Sequence, residues 1–216
     1  MPMLTNQRSR LLGGSRKWWL AGGAPTPIAV YQPKGASSLA ASYTNLANNG
    51  AQYNAAPGTA PTFDTATGWT FDGLTQYLQA GTLVPADGWS MVVRFTDAAT
   101  NARIAGSEDA GDTRFGFRPN ESTTIRYGQG QSINVSPALT AGVIAVAGQR
   151  GYRNGTAEGA AIGAWSGTST RIIQIGAYLI GGSRSFASVK IQALAIYNTA
   201  LTAPQVAAVS AAMAAL

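Results

Sequence analysis

Apolar residues along this chain gather in short runs, and most runs are closed by Gly, Pro, Asn or Asp. Ile28–Tyr31 (IAVY) is the first, ended by Pro33. Trp69–Phe71 and Gln76–Leu78 flank a Phe-Asp-Gly turn. Trp89–Phe95 (WSMVVRF) reads as a strong strand, and Arg103–Ala105, Arg114–Arg118 and Thr123–Tyr127 as shorter ones. Val143–Ala147 (VIAVA) is apolar throughout, which suits a strand buried on both faces. Tyr152–Arg153 runs into Asn154–Gly155, a pair that accepts the positive φ values of a type I′ hairpin turn. Arg171–Ile175 and Lys190–Tyr197 complete the set. Residues 32–68 are rich in Ala, Asn, Gly, Pro and Thr and are expected to form a long surface excursion. Many short strands at close turn spacing, with one convincing helix, predict an all-β sandwich of two antiparallel sheets.

The pattern changes period near the C-terminus. In Lys190–Tyr197, strict alternation puts Ile191, Ala193, Ala195 and Tyr197 on one face and Gln192, Leu194 and Ile196 on the other. Both faces are largely apolar, so this is an interior strand. Thr202-Ala-Pro-Gln205 then matches a capping box, with Pro204 in the first turn and Leu201 and Val206 placed as a hydrophobic staple. Val206, Val209, Met213 and Leu216 recur at helical spacing and give one apolar stripe. A helix of about 14 residues is roughly 20 Å long, too short to cross a bilayer. It carries no cationic face for a membrane surface. The stripe is expected to pack on a sheet edge or a neighbouring molecule.

Composition narrows the chemistry. The 216 residues include neither Cys nor His. Disulfides, thiolate metal sites and histidine-based catalysis are thereby removed. Charged residues make up 11% of the chain, against about 25% in an average globular protein. The formal charge of +6 is unevenly placed. Residues 1–63 carry Arg8, Arg10, Arg16, Lys17 and Lys34 and no acid, whereas residues 64–216 hold ten basic and nine acidic residues. The excess therefore belongs to an N-terminal arm, residues 1–27, preceding a domain over residues 28–216. The stretch RSRLLGGSRKWWLAGGA has a basic start followed by apolar residues, but Gly-Gly and Arg16–Lys17 break its apolar block, which argues against a secretory signal.

Five segments together resemble the laminin G-like or concanavalin A-like jelly rolls. Gly68–Gly81 (GWTFDGLTQYLQAG) resembles their F-x-G-x-x-x-Y-hydrophobic segment, and Trp89–Phe95 the strand that follows it. Gly151–Gly155 (GYRNG) resembles their hairpin, and Ile173–Gly176 (IQIG) a later strand. Ala195–Gln205 (AIYNTALTAPQ) resembles their closing hydrophobic-I-Y-N-R-A-L-S-x-x-E element. The chain departs from the pattern with alanines at Ala145–Ala147 where a His often stands, Thr199 for Arg and Gln205 for Glu. The resemblance implies a concanavalin A-like jelly-roll sandwich of two antiparallel sheets, whose first and last strands are neighbours. It leaves the activity open, because this fold hosts lectins, hydrolases and adhesion modules. Single-domain versions with short basic arms are also similar to proteins encoded by tailed phages.

Candidate chemistry is sparse. The family's hydrolases use carboxylates at E-x-D-x-x-E on one strand, where residues i and i+2 share a face. Here the only acid cluster, Glu108, Asp109 and Asp112, lies between glycines and reads as a solvated turn, with a Ca²⁺ loop as the alternative. Asp72 reads as a turn residue bonded to nearby backbone amides. No catalytic residue and no metal ligand is assigned, and no cofactor is expected beyond that Ca²⁺ alternative. Tyr127, Trp165 and Tyr178 are candidates for stacking on sugar rings, weighed against a place in the core. Arg114, with Arg118 and Arg126, is a candidate for acidic glycans, weighed against a solvated face with Glu121 as partner. Arg8, Arg10, Arg16, Lys17, Trp18 and Trp19 form a candidate assembly anchor, because Trp and Arg are favoured in protein interfaces. Four charges on an arm are too few to point to nucleic acid.

The expected function is therefore a non-enzymatic structural or attachment protein of a virus particle, a capsid decoration or tail-associated protein, fixed by its arm to other particle proteins or to its own copies. A glycan-binding, lectin-like module with host surface glycans as partner is the alternative. A carboxylate glycosidase comes third. Membranes and nucleic acid are not expected partners. The expected location is the particle, with the cytoplasm preceding assembly.

Overall fold

The computed structural model describes residues 17–109, 112–180 and 182–216. In chain order its strands are β1 (Ala29–Tyr31), β2 (Ala56–Thr59), β3 (Thr62–Asp64), β4 (Gly68–Asp72), β5 (Tyr77–Gln79), β6 (Ser90–Thr96), β7 (Ala105–Ser107) and β8 (Arg114–Glu121). They continue as β9 (Thr124–Val135), β10 (Gly142–Ala147), β11 (Arg150–Arg153), β12 (Thr156–Glu158), β13 (Gln174–Ile175), β14 (Ala177–Ile180), β15 (Ser183–Phe186) and β16 (Ser188–Tyr197). Two helices accompany them, α1 (Leu39–Ser42) and α2 (Ala203–Ala214), with short 3₁₀ turns at Trp18–Gly23 and Ala51–Tyr53.

The strands form two antiparallel sheets. The first runs β12-β11-β10-β6-β16-β4-β3, and β1 pairs with the C-terminal half of β16. The second runs β2-β5-β13-β7-β8-β9, and β14 and β15 form a separate hairpin. The protein is a β-sandwich, and its first and last strands are neighbours, Val30 opposite Ala195. Trp69, Phe71, Met91, Val93 and Phe95 of the first sheet meet Leu78, Phe115, Phe117, Ile125 and Tyr127 of the second in the main core. A second core lies on the outer face of the first sheet. There Val206, Val209 and Met213 of α2 cover Val92, Val143, Ala145, Ala147, Ala193 and Ala195. The helix stripe thus packs on a sheet face, and not on an edge. Small alanines on β10 and β16 leave the room a helix needs.

The strand facing of the C-terminal segment differs from strict alternation. Ile191 faces the main core with Leu194 and Ile196, while Ala193, Ala195 and Tyr197 face α2. A bulge between Ile191 and Ala193 causes this: one extra residue flips the facing of everything before it. The helix is capped as its sequence predicts, with the Thr202 amide donating to Gln205 Oε1 at 2.9 Å. Gln205 Nε2 also donates to Gly23 O at 3.0 Å, a bond that a glutamate at this position has no proton to make. At the other end of α2, Arg94 of β6 reaches the Met213 carbonyl at 2.9 Å.

On sequence, Trp18 and Trp19 belong to an anchoring arm, and the structure corrects this. Both are buried in the second core, with ring centroids 5.4 Å apart in an edge-to-face pair. Trp18 Nε1 donates to Gln32 Oε1 at 2.8 Å, and the Tyr197 hydroxyl donates to the Trp19 carbonyl at 2.8 Å. Gly22 has φ +65°, and a Cβ there would meet the Ala208 Cβ at 2.5 Å, so the 3₁₀ segment lies directly on α2. These indoles are consumed within the chain. Lys17 stays exposed, with its Nζ 6.0 Å from the Trp19 ring. Arg8, Arg10 and Arg16 lie outside the described residues.

The excursion over residues 32–68 contains α1, β2 and β3. Its Ala-Pro-Gly-Thr strand, β2, has no apolar alternation to announce it. It forms because Gly58 leaves the space that the Tyr77 ring of β5 fills; a Cβ there would fall 1.9 Å from that ring. Strand β9 continues to Val135, well past Tyr127.

Candidate ligand-binding face

Among the described residues, no helix packs on the outer face of the second sheet. Three of its strands place glycines opposite one another: Gly106 of β7 pairs with Gly116 of β8, and Gly116 with Gly128 of β9. The φ values of Gly106 and Gly116 are +140° and +141°, which side chains rarely adopt. The lane of bare backbone is filled from above. The β14–β15 hairpin lays the Tyr178 ring on it, and Cβ atoms on Gly106 and Gly116 would stand 2.7 Å and 2.4 Å from Tyr178. The stem of Arg114 lies over Gly128 in the same way, within 2.6 Å of where a Cβ would be.

Around Tyr178 stand four arginines. Arg114, Arg118 and Arg126 point outward because they alternate with the core residues Phe115, Phe117, Ile125 and Tyr127. Arg103 precedes β7 and sets its guanidinium 5.4 Å from the Tyr178 centroid. Arg118 and Arg126 are register partners, a like-charge pair directly across two strands. Glu121 holds them: it pairs with Arg118 and, at 3.0 Å, with Arg126. Glu108 does the same for Arg114 at 2.6 Å and Arg103 at 3.5 Å. The bond to Glu108 pushes the Arg114 pKa up against the opposing effect of burial, so this guanidinium stays charged. Burial, and then the Glu108 carboxylate, push the Tyr178 phenol well above its ordinary value, while Arg114, Arg118 and Arg126 pull it down by less. Tyr178 is neutral at any working pH. Arg184 of the hairpin adds another cation to this face, 4.1 Å from the Tyr77 ring.

The carboxylates of Glu108, Asp109 and Asp112 each have partners of their own. Glu108 serves two arginines, Asp109 pairs with Arg171 at 3.3 Å and with Thr170, and Asp112 accepts from Gln131. The carboxylates point to separate partners, and no group of three acidic residues converges among the described residues. Asp72 is the turn residue that its sequence predicts, accepting from the amides of Leu74, Thr75 and Gln76.

The predicted sugar-stacking residues separate. Tyr127 is corrected: it is fully buried between the sheets, its hydroxyl bonded to Glu158, because its β9 register turns it inward. Tyr178 is corrected as well, since the glycine lane takes one ring face and Arg103 the other. Trp165 remains half-exposed, its Nε1 donating to Gly167 O at 3.1 Å. It lines an open depression of about 340 Å³ with Val84, Pro85, Asp87, Thr168 and Ser169. This loop meets the arginine face at Gly130, where a Cβ would touch the Trp165 backbone at 2.7 Å, and Gly130 is the register partner of Arg114. The backbone of the Trp165 loop thus lies beside Gly130, while the Trp165 side chain packs against the rim of the main core. The glycine lane and the part of Arg103 escape a linear reading. Each glycine is ordinary alone, and only the strand register aligns them.

No family model matches the chain, and no curated protein matches it. Solved structures do. Domain 4 of an extracellular arabinanase from Geobacillus stearothermophilus, solved with arabinotriose, is similar with a TM-score of 0.60 at 14% identity, over 86% of this chain and 98% of that one. A Trypanosoma rangeli sialidase, solved with sialic acid, is similar with a TM-score of 0.56 at 15% identity, over 85% of this chain and 33% of that one. The chain spans about a third of the length of the sialidases it matches. At these identities the likeness establishes the β-sandwich fold, one found within proteins of carbohydrate chemistry.

Proposed function

We propose that the protein is a non-enzymatic glycan-binding module, displayed as a structural or attachment component of a virus particle. The half-exposed Trp165 carries the glycan reading. Its indole borders an open depression whose other walls mix apolar Val84 and Pro85 with polar Asp87, Thr168 and Ser169. An aromatic face for the apolar side of a sugar ring, ringed by hydroxyl and carboxylate groups, is the chemistry such a ligand needs. The arabinanase domain solved with an oligosaccharide supports the same reading. Against catalysis stands the carboxylate inventory. Glu108, Glu121 and Asp109 are each paired with arginine, whereas glycoside hydrolysis takes two carboxyl groups facing one another across the bond. The attachment role rests on the charge asymmetry of the sequence and falls to residues 1–16 and Lys17, since Trp18 and Trp19 are occupied.

The test is a glycan array followed by titration of the best binder into wild type and Trp165→Ala. Binding by the folded protein should weaken roughly tenfold, about 1.4 kcal/mol, measured below the variant's melting temperature because Trp165 also packs against the main core. An unaltered affinity would remove Trp165 from the site, and new reducing ends released from the bound glycan would overturn the non-enzymatic assignment. Deleting residues 1–16 should abolish incorporation into particles and leave glycan binding intact.

A further inference from the structure

We propose that the arginine cluster around Tyr178 is an anion subsite that takes a carboxylate or sulfate group carried by the bound glycan. Its natural ligand rests on the glycan reading above; its anion chemistry stands on four observations of its own. Four guanidinium groups, of Arg103, Arg114, Arg118 and Arg126, line one recess with the Tyr178 ring, and only two carboxylates, Glu108 and Glu121, answer them. Asp112 acts on Arg114 from a distance, but its side chain accepts from Gln131. Four guanidinium groups against Glu108, Glu121 and the more distant Asp112 leave a net positive charge on this face.

The geometry is also wasteful unless something uses it. Arg118 and Arg126 sit opposite each other on adjacent strands, an arrangement that costs stability. Glu121 offsets this only by dividing its two oxygens between them. The Nε–H groups of Arg114 and Arg118 are buried and have no hydrogen-bond partner among the described residues. Unsatisfied charged donors are expensive, and the cluster is stabilised by any acceptor that reaches its exposed guanidinium edges. The Arg126 and Arg114 side chains keep 32% and 24% of their surface exposed, so the acceptor has access.

The interior of the recess holds only about 10 Å³, the space of one water molecule. The anion must therefore sit at the mouth, across the guanidinium edges, with the sugar ring outside. That fits a substituent on a glycan chain better than a ligand swallowed whole. Planar guanidinium groups suit both a carboxylate and a sulfate.

Binding of three probes to the full chain tests this at constant ionic strength: a sulfated heparin-type hexasaccharide, a carboxylated polygalacturonate hexasaccharide, and neutral arabinotriose. Inorganic sulfate at millimolar concentration serves as a fourth, read as a rise in melting temperature. Arg126→Gln is the main variant because its side chain is the most exposed, and Arg103→Gln replaces it if that variant does not fold. Either acidic hexasaccharide should bind at least about tenfold tighter than the neutral one, the preference should weaken with salt, and the variant should lose most of it. Which acidic probe wins separates carboxylate from sulfate. Acidic probes that bind no tighter than arabinotriose, or equally well to wild type and variant, overturn the subsite and leave the glycan reading standing. Sulfate stabilisation that Arg126→Gln abolishes, without oligosaccharide binding, keeps the subsite and sinks the glycan reading. No response to any probe sinks both.

Discussion

The two outer faces of this sandwich begin from the same architecture and end as opposites. On the first sheet, alanines on β10 and β16 admit α2 and the Trp18–Trp19 turn, and the face becomes a second core. On the second sheet, glycines align across β7, β8 and β9, and the face keeps its arginines in reach of solvent. Small residues do different work in the two places. Alanine keeps a Cβ and the strand conformation, so a helix can settle on it. Glycine at φ near +140° gives up both at Gly106 and Gly116, so the Tyr178 ring can lie on backbone, and at Gly128 the missing Cβ admits the Arg114 stem. One face contributes stability and the other keeps charged groups at the surface.

The largest effect should come from breaking the covered face. Trp19→Ala removes a buried indole from the second core and should cost about 3–5 kcal/mol, read by urea denaturation. Ligand affinity of the surviving folded fraction should not change. A loss below about 1 kcal/mol would mean that the tryptophan turn is not part of the stable domain.

Next comes the open face. Gly116→Ala must place a Cβ 2.1 Å from the Ala105 carbonyl oxygen and 2.4 Å from the Tyr178 hydroxyl, at a φ unsuited to alanine. The cost should be about 2–3 kcal/mol, with Tyr178 displaced and the acidic-glycan preference lost. If stability falls and the preference survives, the tyrosine is not what organises the arginines.

A finer comparison concerns Gln205. Gln205→Glu retains an acceptor for the Thr202 amide but loses the donor to the Gly23 carbonyl. About 1 kcal/mol should disappear, an effect confined to the covered face. An unchanged melting temperature would show that the bond between α2 and the 3₁₀ turn contributes nothing.

These contrasts explain what the sequence disclosed. The two-sheet sandwich and the capped closing helix were readable because each rests on local pattern: VIAVA for a doubly buried strand, Thr202 to Gln205 for a helix start. The positions of Trp18 and Trp19 were not, because burial of a Trp pair and exposure of one look the same in a line of residues. What decides between them is the alanine-floored face of β10 and β16, more than a hundred residues away. Tyr127 and Trp165 show the same limit at the site. Both are aromatic, and only strand register sends the first inward. The bulge in β16 had no sequence mark either, and it reversed the facing of Ile191. Arg114 was legible as a candidate because it falls with Arg118 and Arg126 on two neighbouring predicted strands. Its partner Arg103 and the glycine lane depend on pairing between strands.

A comparably small effect belongs to the turn after β4. Asp72 is exposed, yet its carboxylate accepts from three consecutive amides and from the Thr75 hydroxyl at 2.9 Å. Partial burial pushes its pKa up, but the bonds from Thr75, Leu74 and Gln76 outweigh it and hold the group well below its ordinary value of 3.8. A folded-state pKa below the unfolded one gives stability that is present in full above the unfolded value and lost as pH falls toward the folded one. Asp72→Ala should therefore cost about 1 kcal/mol at neutral pH, as removal of a helix cap does. The difference from wild type should stay flat from pH 8 down to about 5 and shrink below pH 4, because protonation then deprives the wild type of the same acceptor. A difference that persists unchanged at pH 2 would assign the effect to backbone conformation at Asp72–Gly73, where Gly73 has φ +77°, and not to the carboxylate.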